Sequence, residues 1–179
     1  MWHFERWSRL VIGIVLTAAL GMGAGSLRAQ DEPFAGGDPR TLDSLPAIGL
    51  VVVGADANAE RAGLSAEWIT GQAQEALGDG GVAVLGNEEW PQQPGAAALV
   101  LSVSIKPVAA GDSTYVYAVQ AALWQQVRRF RRPLWFTRVP TWTSHLRSGV
   151  ARRPLPVPIR LAVLDAVGEF VAAYHAHNP

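Results

Sequence analysis

Two long stretches of this chain follow different hydrophobic periods, and together they restrict what it can fold into. From residue 98 the apolar side chains alternate, with Leu99, Leu101, Val103 and Ile105 on one side of an extended chain and Val100, Ser102, Ser104 and Lys106 on the other. After a Gly111-Asp112-Ser113 turn, a strand over 114–130 repeats the pattern. Tyr115, Tyr117, Val119, Ala121 and Leu123 share one face, and Ala118, Gln120, Ala122, Trp124, Gln126 and Arg128 share the other. Near the carboxyl end the period becomes helical: Ile159, Ala162, Val163, Ala166, Val167, Phe170, Val171 and Tyr174 recur three and four apart. A sheet with one apolar face and a helix with one apolar stripe must bury those surfaces against each other.

The remaining elements fit that frame. The valine-rich run 47–54 reads as a buried first strand, and Ser65 can cap a helix carrying Ile69, Ala73, Ala76 and Leu77, with Glu67 in its first turn and Gly78 closing it. A glycine-rich turn at 78–81 leads into a brief strand at 82–85. The Arg131-Arg132-Pro133 corner turns the long strand into a hairpin with 134–143, where Pro140 argues for a sheet edge because it has no amide proton. The residues around Pro154, Pro156 and Pro158 read as a loop before the last helix. The expectation is an α+β two-layer sandwich: a mainly antiparallel sheet of about five strands with two helices on one face, in the order β-α-β-β-β-β-α.

Ahead of this domain, Arg6 and Arg9 precede an apolar run over 10–27 and a small-residue exit, Arg28-Ala29-Gln30. That is the layout of an export signal peptide over 1–29, with Ala29 the last residue removed. The competing reading is a retained amino-terminal membrane anchor, since 10–27 just reaches the roughly 18 residues a spanning helix needs. Gly21, Gly23 and Gly25 weaken the run as a helix and favour cleavage. Residues 30–44 mix acids, glycines and prolines with few apolar groups and read as a flexible leader, leaving 45–179 as a single domain. The product would be soluble, without a stable membrane span, in the periplasm or outside the cell. With no cysteine in the chain, such an exported domain holds by packing alone and has no thiolate metal site, thiol catalysis or lipid-bearing cysteine.

The formal net charge of zero conceals a division. Residues 31–105 carry eleven acidic side chains against Arg40 and Arg61, whereas 106–179 carry ten basic ones against Asp112, Asp165 and Glu169. Either the halves attract one another within the domain or the second half presents a basic surface to an anionic partner.

Motifs for catalysis are lacking: there is no G-x-S-x-G, H-E-x-x-H or P-loop and no G-x-G-x-x-G after a strand, which Gly21, Gly23 and Gly25 only imitate within the signal segment. Asp56, Asn58, Glu60 and Glu67 sit at calcium-loop spacing, but Arg61 stands where the loop requires glycine, so the segment reads as a polar strand-to-helix loop. His175 and His177, at a helix end, suit the helix dipole and do not share a face for a metal. His145, close to Thr141, Thr143 and Ser144, is the one candidate base for a small periplasmic hydrolase, with Asp112 as its orienting carboxylate. No cofactor, metal site or assigned catalytic residue is expected.

The strongest binding candidate is the run Gln125-Gln126-Val127-Arg128-Arg129-Phe130-Arg131-Arg132, supported by Arg138, Arg147, Arg152 and Arg153. Guanidinium forks match phosphate and carboxylate, and Trp124, Trp135 and Trp142 offer flat faces to sugars, lipids or rings. The site read from sequence is Trp124, Gln126, Arg128, Arg129, Arg131, Arg132 and Arg138, next to a second sheet face bearing Ser102, Ser104 and Gln120. Its expected partner is an envelope protein or an anionic glycan or lipid, and not nucleic acid, which conflicts with export. Trp68 and Trp90 read as packing residues.

Several short passages also carry a resemblance: Asn87-Glu88-Glu89-Trp90 with Pro94-Gly95, residues 111–118 around Tyr115 and Tyr117, Thr141-Trp142, and Phe170-Val171-Ala172-Ala173-Tyr174 before Asn178-Pro179. Together they resemble a loosely defined group of uncharacterised exported bacterial proteins, a likeness that spans nearly all of the expected mature chain. It implies export and an α+β fold with no assigned activity. In element order alone the chain is also similar to envelope-accessory domains, namely the amino-terminal domain of the Tol translocation protein and the lipopolysaccharide-assembly lipoprotein. It departs from the latter in having no lipidation cysteine.

Overall fold

In the computed structural model the backbone is described for residues 39–55, 57–61, 63–93, 97–109, 113–128 and 136–178. The signal peptide read over 1–29 lies outside these residues. Six strands, β1 (Ile48–Val53), β2 (Val84–Leu85), β3 (Ala97–Pro107), β4 (Thr114–Arg128), β5 (Phe136–Thr143) and β6 (Arg147–Arg152), form one sheet. Among the described residues three helices accompany it: α1 (Ala57–Arg61), α2 (Ala66–Asp79) and α3 (Pro156–His177). None of the described helices is long and apolar enough to cross a membrane.

The sheet order is β2-β1-β3-β4-β5, with β6 also paired to β4. β1 runs parallel to β2 and β3, as the crossover through α2 requires, and β4 is antiparallel to β3, β5 and β6. The fold class is the expected α+β sandwich. Two elements differ from the expected order: α1 occupies part of the polar loop after β1, and β6 forms where a loop was read.

β5 pairs with the second half of β4 and β6 with the first, so they form one edge strand interrupted at residues 144–146. Ser144 bridges the interruption. Its N–H donates to the Ala121 carbonyl at 2.8 Å, and its buried hydroxyl accepts from the Ala121 N–H at 3.0 Å, replacing the main-chain acceptor the ladder lacks there. The hydroxyl in turn donates to the His145 carbonyl at 3.1 Å.

Alternation decides what is buried. Leu99, Leu101, Val103 and Ile105 of β3 join Val119, Ala121 and Leu123 of β4 in one core with Ile69, Ala73 and Leu77 of α2 and Ile159, Val163, Ala166, Val167 and Phe170 of α3. Each large aliphatic side chain fully withdrawn from water contributes about 1.5–3 kcal/mol. As expected from the cap, the Ser65 hydroxyl accepts from the Trp68 N–H at 3.1 Å. α2 runs past Gly78 to Asp79 and is capped at Gly80. α3 begins at Pro156, inside the segment read as a loop, because proline is tolerated in a first turn whose amides have no helical partner.

The chain before β1 is also part of the domain. Residues Pro39–Leu42 form a 3-10 turn, Leu42 is completely buried and Leu45 nearly so. The leader read over 30–44 therefore ends in packed chain; its residues 30–38 lie outside the described ones.

Candidate functional site

With both main helices packed on one face, the other face of the sheet carries Val51, Val53, Val100, Ser102, Ser104, Ala118, Gln120, Ala122 and Trp124, each half-buried, flanked by exposed Val116, Gln126, Ser148 and Val150. Among the described residues only one end is roofed. Trp90, from the loop between β2 and β3, lies over Gly49 of β1, where a Cβ would collide with the indole. Trp90 and Ala98 are buried there, apart from the main core. The Arg138 guanidinium stacks on the outside of the Trp90 ring, 4.5 Å from its centre.

The sequence-derived site residues fall as follows. Trp124 is half-buried on this open face, paired across the ladder with Ala98 and Pro140, and Gln126 is exposed beside Arg138 on the same face. Arg128 ends β4; its side chain, together with Arg129, Arg131, Arg132 and Trp135, lies outside the described residues. Trp142 does not belong to the surface group. An extra residue, Thr141, interrupts the β4–β5 register, so Leu123 pairs with Trp142 and Trp124 with Pro140. The bulge turns Trp142 onto the core, edge-on to Phe170 at 5.3 Å. Trp68 packs partly buried against the core, and Trp90 is a packing residue.

The charge division of the sequence maps only partly onto the layers, since the helices also carry Arg61 and Arg160 and the roofing loop carries Glu88 and Glu89 beside Trp90. Lys106, Arg138 and Arg152 are exposed on the open face, and no described strand residue contributes a carboxylate to it. Glu60, Glu67, Glu75, Asp79, Asp165 and Glu169 ride on the helices. Among the described residues no arginine of the second half pairs with a carboxylate of the first. Arg147 pairs within its own half, with Glu169 at 3.0 Å and Asp165 at 3.9 Å.

The histidines find partners that sequence spacing did not reveal. Glu169 of α3 accepts from His145 Nδ1 at 2.7 Å and from the His145 backbone N–H at 3.2 Å, so the carboxylate fills the orienting position read for Asp112. A carboxylate only accepts, so the pair places a proton on Nδ1. Asp112 lies outside the described residues. A nucleophile is not supplied by Ser144, whose hydroxyl is committed to the backbone on both sides. Replacing it should show this role. Ser144→Ala leaves the buried Ala121 N–H without its side-chain acceptor and is expected to lower the unfolding free energy by about 1–3 kcal/mol in urea titration. A loss below about 0.5 kcal/mol would contradict the structural assignment. His175 Nε2 meets the Gly80 carbonyl at 2.6 Å and His177 Nδ1 meets Asp43 at 3.0 Å, pinning the end of α3 to α2 and to the amino-terminal turn.

Among the described residues no three His, Asp or Glu side chains converge to hold a metal ion. Glu60 and Glu67 lie in different helices, α1 and α2, and Asp56 is outside the described residues. No protein-family model matches the chain and no curated protein sequence matches it, so the open, cationic sheet face must be judged from its own residues.

Proposed function

We propose that the protein is an exported, non-enzymatic binding domain of the cell envelope, and that the open sheet face, with the arginine-rich β4–β5 connection, takes an anionic partner. The observation that carries this is the charge of that face: its formal charges among the described strand residues are all basic, and they surround a broad surface of small, half-buried groups. Such a surface is neither fully apolar nor strongly polar, as interfaces between separately stable partners are. Trp124 adds a flat aromatic surface beside Gln126 and Arg138. Arg129, Arg131 and Arg132 follow directly in the chain and add further guanidinium forks suited to phosphate or carboxylate. Export is supported by the basic, apolar and small-residue order of 1–29.

The test uses the protein without its first 29 residues, sedimented with vesicles of zwitterionic lipid alone or with an added anionic phospholipid, and applied to heparin as an acidic glycan. The expected result is binding to at least one anionic probe that weakens with salt. Arg128→Ala with Arg129→Ala should reduce that binding about tenfold, the equivalent of one charge-assisted contact of about 1.4 kcal/mol. Indifference to salt and to both substitutions on every anionic probe would overturn the proposal.

A further inference from the structure

The edge of the sheet at β6 offers a second mode of contact, through main-chain groups, while its exposed side chains Ser148, Val150 and Arg152 lie on the rim of the open face. The phase of its ladder follows from one bond: Arg153 N–H donates to the Ser113 carbonyl at 3.1 Å, just beyond the Thr114–Arg152 pair. In antiparallel pairing, hydrogen-bonded and non-hydrogen-bonded pairs alternate. Arg147, Gly149 and Ala151 therefore bond to β4, whereas the N–H and C=O groups of Ser148, Val150 and Arg152 point away from the sheet. Among the described residues no strand pairs with them.

The neighbouring edge is protected in ways that β6 is not. β5 carries Pro140, and the amino-terminal turn lies against it, with Thr41 Oγ1 donating to the Thr141 carbonyl at 3.4 Å and Gln125 donating to the Thr41 carbonyl at 2.9 Å. Exposed edges of this kind invite strand addition unless proline, a bulge or a covering segment blocks them. Along β6 the outward amides are accompanied by Val150, 67% exposed, and by exposed Arg152, on the same face as exposed Val116 and Lys106.

Charge selects the occupant. A second copy of this chain pairing antiparallel over the full edge, with Val150 opposite Val150, would set Arg147, already held by Glu169, opposite Arg153 and Arg152 opposite Ser148, so no new opposite-charge pair forms across the edge. An acidic strand would form one at Arg152. We infer that β6 accepts an extended acidic segment of a partner protein as an added antiparallel strand, with an acidic residue facing Arg152 and, two residues later, a β-branched apolar residue facing Val150. Main-chain bonds supply affinity in this mode, and the alternate side chains supply selectivity.

The probe is a synthetic peptide of alternating threonine and valine with a glutamate two residues before its central valine, added to the isotope-labelled protein. The expected result is slowed hydrogen exchange and shifted amide resonances at Ser148, Val150 and Arg152. Val150→Pro removes an outward N–H without touching the β4 ladder and should abolish that protection. Arg152→Glu should weaken the glutamate peptide about fivefold and restore binding to a peptide with lysine in its place. Three outcomes would overturn the inference: no protection at the three amides, equal binding of the glutamate and lysine peptides, or concentration-dependent self-association of the free protein through β6. Val150→Pro alters the rim of the open face beside Val116, far along β4 from Trp124, Gln126 and Arg138, so vesicle and heparin binding through that arginine-rich end is expected to persist and reports separately on the proposed function.

Discussion

Phe170→Ala is expected to cost about 3–5 kcal/mol of unfolding free energy, which is a large part of the stability of an ordinary domain. The residue is completely buried on the inner stripe of α3, where that helix meets the sheet. Its ring is edge-on to Trp142 at 5.3 Å and tilted against Tyr174 at 6.2 Å. Truncation removes the transfer energy of the ring, leaves a cavity beneath β5 and takes away an aromatic pair worth about 0.5–1.5 kcal/mol beyond its area. No cysteine is present to restrain the unfolded chain, so the whole loss should appear in the denaturant midpoint, with little change in slope. Val157→Ala, on the exposed side of the same helix, is the control and should shift stability by less than about 0.5 kcal/mol. The mechanism fails if Phe170→Ala costs less than about 1.5 kcal/mol while the tryptophan emission still reports a buried indole.

What the sequence disclosed, and what it hid, follows from how far each signal reaches along the chain. α3 was legible because its apolar spacing persists from Ile159 to Tyr174, and α2 because Ser65 supplies a cap next to periodic apolar residues. β3 and β4 were legible from long alternation. β6 was not: its inward positions are Arg147, Gly149 and Ala151, which give almost no apolar contrast with Ser148, Val150 and Arg152. Gly149 is itself required by packing, since a Cβ there would sit 2.7 Å from the Tyr117 hydroxyl, yet a lone glycine reads as a turn. α1 has only five residues, too few for a period to emerge.

Of the candidate site, the open face was predictable from β3 and β4, but Trp142 was grouped with it because the register slips by one residue at Thr141. In a strand such a slip moves every later side chain to the opposite face, and no local composition announces it. Glu169 as the partner of His145 and Arg147 was invisible for a different reason. It is brought to them by the packing of α3 against the sheet, across more than twenty intervening residues.

The amino-terminal turn yields the second large effect. Leu42→Ala is expected to lower stability by about 2–5 kcal/mol, although the residue lies in a segment whose composition reads as flexible. Isolated leucines among acids and prolines give no period, so their burial depends on where the chain is led by its polar groups. Here those groups are fixed at several points. The Leu42 carbonyl accepts from Asn178 at 2.8 Å, the Leu45 carbonyl accepts from the Tyr174 hydroxyl at 3.0 Å, and the Thr41 carbonyl accepts from Gln125. Leu42 thereby enters the core as a plug, held between the end of α3 and β5. Calorimetric or urea unfolding should show the loss, and hydrogen exchange should accelerate in the last turn of α3, where Asn178 and Tyr174 lose the ordered carbonyls they bind. Asp43→Ala removes only the exposed contact with His177 and should cost no more than about 1 kcal/mol. If Leu42→Ala proves no more damaging than Asp43→Ala, the turn is an ornament on the surface and the domain does not depend on it; a several-fold larger loss makes the turn from Pro39 to Leu42 an integral part of the domain.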